Sequence, residues 1–334
     1  MIYLLVFLQK FGDKTMLDKR TLGKTDIKVS PIGIGVMMWM HGKGIMGAMA
    51  PEIPEKVRND IIRESFSGGI NFFDTAELYG FGRSETNLAK ALKANSIKDE
   101  EVIIETKWSP MLRRARNMRR TINKRIDYLD GYTIDLYMVH QPISFSSIKS
   151  EMKELARLVE QEKIKSVGIS NYNAQKMRKA HEELEKLGLH LAANQVNYSL
   201  VRREIESNGI LDTAKELGVT VTAYTPLAGG LLTGKLHENP EAMNSKSAMY
   251  KMIAKRNLEE SIPLIKTLTE IGKAHEVLPG QVALNWLVTY HGNTVITIPG
   301  ATKAYQAKES AGALSFKLTK AELEEIAEAS ENFL

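Results

Sequence analysis

The chain has 334 residues, of which 43% are hydrophobic and 25% are charged, as is ordinary for a globular protein of one large or two smaller domains. It contains no cysteine, which excludes disulfides, thiolate nucleophiles and cysteine-based metal sites and fits a reducing, cytoplasmic location. The net charge of +5 is too small to predict nucleic-acid binding, so we expect no nucleic-acid partner.

The N-terminal segment Met1–Leu8 is apolar, but it is too short for a membrane span and lacks the flanking features of a signal peptide. We therefore expect no membrane partner. A second methionine, Met16, stands just before the sequence becomes regular. We interpret residues 1–15 as a non-essential extension and residues 16–334 as one domain.

Extended and helical patterns alternate along the rest of the chain. A hairpin is predicted in Lys19–Val36, with its turn at Leu22–Thr25. Eight strands are predicted: Val29–Val36, Ile70–Phe73, Val102–Lys107, Ile134–His140, Ile164–Ser170, Ala192–Val196, Val219–Tyr224 and Val295–Ile298. The predicted helices are Glu55–Ser67, Ser84–Asn95 with Ser84 as its N-cap, Leu112–Tyr128, Ser147–Glu160, Ala174–Leu187, Ile205–Leu217, Leu258–His275, Pro279–Thr289, Gln306–Ala313 and Lys320–Ala329. A long polar loop is predicted from Leu236 to about Lys255.

Strands rich in valine and isoleucine that alternate with helices are typical of parallel β/α units. Eight such units predict an α/β protein with a single (β/α)8 TIM barrel, preceded by a β-hairpin and followed by C-terminal helices. The chief alternative is an open doubly wound sheet. That fold normally carries a glycine-rich dinucleotide fingerprint after its first strand, and Gly33-Ile34-Gly35 lacks the third glycine.

Polar side chains stand at the C-terminal ends of three successive predicted strands. Asp74 ends an apolar run, Tyr79 follows five residues later, and Lys107 and His140 end the next two strands. Because these strand ends converge on one face of a barrel, we expect the four side chains to share a site. A tyrosine with a pKa near ~10 is a better general acid when a neighbouring ammonium lowers that pKa, and Lys107 is the predicted source.

Asp74-x4-Tyr79, Lys107 and His140 resemble the catalytic tetrad of the aldo-keto reductases, and the resemblance runs from about Lys19 to the C-terminus. The supporting motifs, in order, are Asn71–Ala76, Gly168–Tyr172, Asn194–Val196, Tyr224–Lys235 and Ile298–Thr302. The region after the seventh strand looks most like the bacterial and archaeal branches related to potassium-channel β subunits. The resemblance implies an NADPH-dependent reduction of aldehydes or ketones by hydride transfer. Tyr79 would be the general acid, Lys107 and Asp74 would tune it, and His140 would orient the carbonyl.

The same resemblance implies where the cofactor, NADP(H), would bind. The nicotinamide would be held by Ser170, Asn171 and Gln195 and stacked on Tyr224. The pyrophosphate would lie along the loop residues Thr225, Leu227, Gly229, Gly230 and Leu231. The adenosine end would contact Gly300, Thr302, Lys303, Gln306, Glu309 and Ser310. Many relatives carry arginine at the position of Thr302 and asparagine at that of Ser310, but Thr302 and Lys303 still favour the 2′-phosphate of NADPH.

The expected partner is a small carbonyl substrate, and its pocket should be built from loops that include Met37, Trp39 and Trp108. The basic run that begins at Arg113 is interpreted as a solvated helix face. Two other functions stay open: a redox-sensing subunit that keeps the cofactor, and a Schiff-base aldolase that uses Lys107. No feature predicts an oligomeric state, a metal site or the identity of the carbonyl compound.

Overall fold

The computed structural model describes residues 17–42, 50–241 and 257–334. The interpretation of residues 1–15 as an extension, and most of the predicted loop from 236 to 255, lie outside the described residues. No helix of the described part is long and apolar enough to cross a membrane.

Eight parallel strands form the centre of the molecule. They are β3 (Ile34–Gly35), β4 (Phe72–Asp74), β5 (Ile103–Trp108), β6 (Leu136–Val139), β7 (Ser166–Ser170), β8 (Leu191–Asn197), β9 (Thr220–Tyr224) and β10 (Val295–Ile298). Each strand pairs with the next one along the chain. The sheet closes on itself because Gly33 N–H donates to the Thr297 carbonyl at 2.7 Å and Thr297 N–H donates to the Pro31 carbonyl at 2.9 Å. The predicted (β/α)8 barrel is therefore confirmed.

The helices cover the outside of this barrel. They are α1 (Glu55–Ser67), α2 (Arg83–Ala94), α3 (Met118–Leu129), α4 (Ile148–Glu160), α5 (Ala174–Glu185), α6 (Ile210–Leu217), α7 (Lys235–Glu238), α8 (Ile262–Ala274), α9 (Pro279–Thr289), α10 (Ala304–Gly312) and α11 (Lys320–Ala329). A large apolar core fills the layer between the strands and these helices. This layer fixes the strands, and so fixes the positions of the loops that follow them.

A two-stranded hairpin, β1 (Arg20–Thr21) and β2 (Lys28–Val29), closes the N-terminal end of the barrel. Its apolar side chains Leu22 and Val29 join the interior cluster of the barrel. The turn residue Gly23 lies against β8, where an added Cβ would stand 2.5 Å from the Ala192 carbonyl oxygen. The hairpin thus leaves the opposite, C-terminal end of the barrel as the open end.

Several predicted boundaries are wrong, and each has a local cause. The predicted first strand is broken in two at Pro31, which has no N–H to give to a sheet. Ser84 is not an N-cap: α2 begins at Arg83 after Gly82, and the Ser84 hydroxyl donates to the Val36 carbonyl at 2.7 Å. Leu112 has φ +55°, so the helix predicted from that residue begins only at Met118.

Two further boundaries differ near the C-terminal third of the chain. The start of the predicted polar loop is the short helix α7, and the helix predicted from Leu258 begins at Ile262. Pro263 stands in the first turn of that helix, where the missing N–H of proline has no cost.

Candidate active site

The structure brings the four predicted catalytic side chains together at the open end of the barrel. Asp74 is the last residue of β4, Lys107 lies at the end of β5, and His140 directly follows β6. The loop after β4 is held against β5 because Glu77 N–H donates to the Lys107 carbonyl at 3.1 Å. Tyr79, in this loop, packs its ring edge to face with that of His140, with 5.7 Å between the ring centroids. We call Asp74, Tyr79, Lys107 and His140 the tetrad.

A buried ion pair forms the base of the tetrad. The Lys107 ammonium donates to an Asp74 carboxylate oxygen and, at 2.9 Å, to the Thr75 carbonyl. Burial alone would lower the pKa of Lys107, but the Asp74 carboxylate raises it above its ordinary value. Burial would raise the pKa of Asp74, but Lys107 and the neighbouring hydrogen bonds hold it below its ordinary value. Both groups therefore stay charged at neutral pH.

The phenol of Tyr79 lies close to this ammonium, with Lys107 Nζ 5.5 Å from its ring centroid. Contrary to the sequence expectation, the pKa of Tyr79 in the free protein is raised, because burial raises it more than Lys107 lowers it. Tyr79 is consequently protonated at neutral pH. The ammonium limits the rise and is placed to stabilise the phenolate that remains once the proton has left.

His140 is the neutral member of the tetrad. Burial, followed by the charge of Lys107, lowers the pKa of His140 to about 4. A neutral imidazole has one N–H donor and one acceptor nitrogen. His140 can therefore donate one hydrogen bond toward a substrate oxygen without adding a charge to the site.

One buried carboxyl next to the tetrad was missed in the sequence. Glu105 lies on β5 two residues before Lys107, so both side chains point into the barrel. Its Oε1 stands 3.3 Å from Lys107 Nζ and accepts from Gln195 Nε2 at 2.5 Å. The strand alternation that indicated Lys107 would have indicated Glu105 as well.

The residues predicted to hold the nicotinamide are joined by hydrogen bonds across β7, β8 and β9. The Tyr224 hydroxyl donates to Asn171 Oδ1 at 2.9 Å, and Asn171 Nδ2 donates to Ser170 Oγ at 3.0 Å. Ser170 Oγ in turn donates to the Gln195 carbonyl at 3.0 Å. Asn171 has φ +63°, which turns its side chain back across the strand ends. These amides and hydroxyls offer the donors and acceptors that a carboxamide requires.

The loop after β9 has the backbone shape of an anion site. Thr225, Ala228, Gly229 and Gly230 all have positive φ, and Gly229 and Gly230 at +68° and +97° follow one another. Leu227 (φ −98°) directly precedes Ala228 (φ +48°), and such a step from negative to positive φ turns successive N–H groups toward one point, which suits phosphate oxygens. The side chain of Leu231 is buried in the core and Leu227 packs against it, so these two contribute backbone at this loop.

The residues predicted for the adenosine end gather at the start of α10. Gln306 Oε1 accepts from Thr302 N–H at 2.8 Å and from Lys303 N–H at 3.0 Å, so this side chain caps the helix. Gly300 is exposed and bridges to Gly35 of β3, Glu309 is half-buried, and Ser310 is buried.

Two further side chains at this end were not predicted. Tyr305 is exposed, with Lys303 Nζ 5.8 Å and Lys235 Nζ 5.1 Å from its ring centroid. Lys235 Nζ also lies 3.6 Å from Glu309 Oε1. Lys235 is the last residue of the Tyr224–Lys235 motif, and that motif was its signal in the sequence. Tyr305 belongs to no motif, so no sequence pattern indicated it.

The three predicted substrate residues have different surroundings. Met37 is partly exposed after β3. Trp39 and Trp108 are almost completely buried, and their indole N–H groups donate to the Ala301 carbonyl and to Asn117 Oδ1, each at 3.1 Å. Met37 therefore has surface to offer a ligand in this structure, whereas the two indoles are packed and hydrogen-bonded. The predicted contact of Met37, Trp39 and Trp108 with a substrate stays a prediction.

A cavity of about 750 Å³ lies at the other end of the barrel, where the strands begin. Its lining includes Lys28, Asn71, Ile103, Asp135 and Lys165. No member of the tetrad lines it, and in the described residues no cluster of histidine and carboxylate side chains is arranged for a metal. Because the reactive groups gather at the C-terminal strand ends, we place the candidate active site there.

Comparison with known proteins adds the family relationships of this fold and site. Residues 31–331 match the family model described as "Aldo/keto reductase family". The chain is similar to "Probable aldo-keto reductase 1" of Glycine max, with 32% identity over 318 residues that cover 92% of this chain and 87% of the relative. It is also similar to "Aldo-keto reductase str7" of Strobilurus tenacellus, with 31% identity over 316 residues that cover 92% of this chain and 90% of the relative.

Two solved structures share the architecture. A crystal structure of the thermostable aldo-keto reductase Tm1743 in complex with the inhibitor epalrestat has a TM-score of 0.74 and 23% identity, and covers 94% of this chain and 100% of that chain. A putative 2,5-diketo-D-gluconic acid reductase B has a TM-score of 0.71 and 22% identity, and covers 95% and 92%. At sequence identities of 23% and 22%, this structural similarity establishes the fold alone.

Proposed function

The chain belongs to the aldo/keto reductase family, and we propose that it reduces aldehydes or ketones to alcohols with NADPH. The observation that carries the proposal is the buried Lys107–Asp74 ion pair directly beside the Tyr79 phenol. A charged lysine held by a carboxylate next to a protonated tyrosine is an arrangement for giving a proton to a developing alkoxide.

Each residue of the tetrad has its own role in the proton transfer. NADPH, when bound, supplies a hydride to the carbonyl carbon. Tyr79 Oη gives its proton to the carbonyl oxygen, and the Lys107 ammonium stabilises the phenolate that is left. The neutral imidazole of His140 donates a hydrogen bond to the same oxygen and so fixes its direction. Asp74 holds Lys107 in place and keeps it charged.

The binding of a nicotinamide dinucleotide is supported by the fit of three groups of residues. The hydrogen-bonded set Ser170, Asn171, Gln195 and Tyr224 suits the carboxamide. The positive-φ backbone at Thr225, Ala228, Gly229 and Gly230 suits the pyrophosphate. We propose NADPH over NADH because lysine side chains collect at the adenosine end, where a 2′-phosphate would add negative charge.

We further propose that the substrate is mainly apolar. Five large apolar side chains in the loops after β4, β5 and β6 are each more than half exposed: Phe81, Met111, Leu112, Ile143 and Phe145. The loops after β5 and β6 are joined, because Phe145 N–H donates to the Arg113 carbonyl at 2.9 Å. An apolar rim beside the tetrad favours aryl or alkyl carbonyl compounds over small charged ones.

A panel of aldehydes and ketones, followed by the loss of NADPH absorbance, tests the proposal. We expect reduction by the wild type, with kcat/KM that increases with the apolar area of the substrate. Tyr79→Phe should lower kcat about 10²–10⁴-fold, the usual contribution of a general acid. Its affinity for NADPH should be unchanged, as measured by quenching of protein fluorescence. A Tyr79→Phe enzyme that keeps more than about a tenth of the wild-type kcat would contradict the role of the phenol.

A further inference from the structure

Beside the tetrad, β5 carries a second carboxyl that the proton-transfer scheme above does not use. Glu105 is fully buried, and its Oε1 lies within 3.3 Å of the Lys107 ammonium. It is also in contact with Gln195 of β8, on the opposite flank of the site. The side chain therefore spans the distance between the acid side of the site and the predicted nicotinamide side.

Gln195 is the connection between the two sides. Its Nε2 donates to Glu105 Oε1 at 2.5 Å and to Asp74 Oδ1 at 3.0 Å. Both carboxyls can only accept from this amide if its NH2 group faces them. The other branch of the amide, Oε1, accepts no hydrogen bond from any described residue, and it is the acceptor that a carboxamide NH2 would need.

We propose that Glu105 is a positioning residue that fixes the amide of Gln195 against the Lys107–Asp74 pair. Gln195 Oε1, the acceptor for a nicotinamide carboxamide, and the proton-donating group of the tetrad are thereby parts of one network. The inference rests on the proposed function, since it assumes that Gln195 faces a bound nicotinamide. It concerns a residue outside the tetrad, and it predicts effects on cofactor binding that the tetrad alone does not.

The charge balance of the cluster requires Glu105 to be neutral. One ammonium, Lys107, already has Asp74 as its counter-ion, and a second carboxylate would leave a net negative charge in a fully buried site. Burial raises the pKa of Glu105 well above its ordinary value, although the charge of Lys107 opposes the rise. The groups that face it are Asp74 of β4, Lys107 of β5, Tyr79 of the following loop and the amide of Gln195 of β8.

A neutral Glu105 has a direct consequence for Tyr79. An ionised carboxylate at this position would raise the pKa of the phenol further and oppose phenolate formation. The protonated acid keeps the acceptor for Gln195 and avoids this penalty. A glutamine at position 105 would do the same, because it has an acceptor oxygen of the same reach and no charge.

Two substitutions distinguish the positioning role of Glu105 from a role in packing alone. Glu105→Gln keeps the size, the acceptor and the neutral charge, so we expect an NADPH Kd within about threefold of the wild type. Glu105→Leu keeps the volume but removes the acceptor, so we expect the Kd to rise about tenfold, in line with the loss of one buried hydrogen bond. Both are measured by quenching of intrinsic fluorescence, after thermal unfolding has shown that each variant is folded.

The pH profile and a double-mutant cycle complete the test. Glu105→Gln should leave the pH dependence of carbonyl reduction in place, because it replaces a group that is already neutral. In a Gln195→Leu background, Glu105→Leu should have no further effect on the NADPH Kd, because its effect acts through that amide. The control is Glu85→Gln. Glu85 is equally buried, but its Oε1 accepts from Thr106 Oγ1 at 2.6 Å on the outer side of β5, so the NADPH Kd should not change.

Four results would overturn the inference: an unchanged Kd in Glu105→Leu, a further loss from Glu105→Leu in the Gln195→Leu background, a Glu105→Gln variant as weak as Glu105→Leu, or an alkaline limb that shifts by about one pH unit in Glu105→Gln. The last would mean that Glu105 is ionised in the wild type. A wild type that binds no NADPH would instead refute the proposed function, and the inference with it. The two failures are therefore distinguished, because one appears only in the Glu105 variants and the other appears in the wild type.

Discussion

At the scale of single residues, the protonation state of Lys107 separates a reductase from a Schiff-base aldolase. An aldolase lysine must lose its proton before it attacks a carbonyl. Here Asp74 raises the pKa of Lys107 against the effect of burial. An ammonium that is held in this way is a poor nucleophile and a good neighbour for a phenolate.

Lys107→Met should therefore impair reduction strongly, and Lys107→Arg should recover part of the rate, because arginine keeps the charge without the compact shape. Loss of the ammonium also raises the pKa of Tyr79. In alcohol oxidation, where the tyrosine must first lose its proton, the rise of rate with pH should move to higher pH. These profiles are measured by the formation of NADPH.

Borohydride provides the opposing test. Wild-type protein that is incubated with a carbonyl substrate and borohydride should show no covalent adduct in its intact mass. A stoichiometric adduct on Lys107 would establish the Schiff base and refute hydride transfer through the tetrad.

The preference for NADPH is also decided by single side chains. Lys303→Ala should raise the Kd of NADPH about tenfold, equivalent to about 1.4 kcal/mol, and leave the Kd of NADH unchanged, because the ammonium pairs with the extra phosphate. Lys308→Ala is the matched control, as Lys308 is an exposed lysine on α10, the helix that Lys303 directly precedes. Fluorescence titrations with both cofactors give the four constants. Equal losses for NADPH and NADH would show that Lys303 does not read the 2′-phosphate.

The sequence could predict the positions of the tetrad residues, because Asp74, Lys107 and His140 stand at strand ends and Tyr79 follows Asp74 by five residues. It could not predict their protonation. The raised pKa of Tyr79 and the lowered pKa of His140 both arise first from burial, which depends on segments far away in the chain. Glu105 was overlooked because a single charged residue within a strand usually faces solvent. It stands two residues before Lys107, however, and strand alternation therefore places both side chains inside the barrel.

At the scale of elements, the existence and order of the strands and helices were predictable from their periodicity, while their ends were set by particular contacts. The hydroxyl of Ser84, which looks like an N-cap, is bound to Val36 after β3 instead. Leu112 is apolar and in helical phase, but its positive φ belongs to the loop that carries the apolar rim. Such ends depend on tertiary hydrogen bonds that no local pattern contains.

The hairpin at the closed end of the barrel depends on one turn residue. Gly23 has φ +54°, and a Cβ there would meet the Ala192 backbone. Gly23→Ala should lower the free energy of unfolding by about 2–4 kcal/mol, from left-handed strain and overpacking together. Gly292→Ala is the control, because Gly292 has φ +64° with no atom within 4 Å of the added Cβ, so it carries the strain alone.

Urea unfolding of the two variants measures the difference. If Gly23→Ala were no less stable than Gly292→Ala, the close contact between the hairpin turn and β8 would not be part of the folded structure.

At the scale of the whole molecule, a buried arginine joins the barrel to the C-terminal helices. Arg203, in the loop after β8, pairs with Glu206, and its Nη1 donates to the Ala327 carbonyl at 2.7 Å and to Ser330 Oγ at 2.8 Å. Its guanidinium lies 5.0 Å from the ring centroid of Trp286 on α9. This one arginine thus connects the loop after β8 with both α9 and the end of α11.

The charge of Glu206 is the part of this connection that pH can remove. Burial would raise the pKa of Glu206, but hydrogen bonds from Arg203, His291 and Tyr198 lower it to about 2. A depressed folded-state pKa contributes stability above the ordinary carboxyl pKa, and the contribution is lost as the pH falls toward the folded value. The contribution of Glu206 should therefore be complete at neutral pH and decrease below about pH 4.5.

Glu206→Gln should lower the free energy of unfolding by about 3–5 kcal/mol at pH 7, because it leaves the guanidinium of Arg203 buried without its counter-ion. The difference from the wild type should shrink as the pH falls from about 4.5 toward 2, since a protonated Glu206 resembles the amide. Glu204→Gln changes an exposed glutamate of the same turn and should have no effect at either pH. A loss in Glu206→Gln that is constant with pH would mean that the shape of the side chain, and not its charge, holds the C-terminal helices on the barrel.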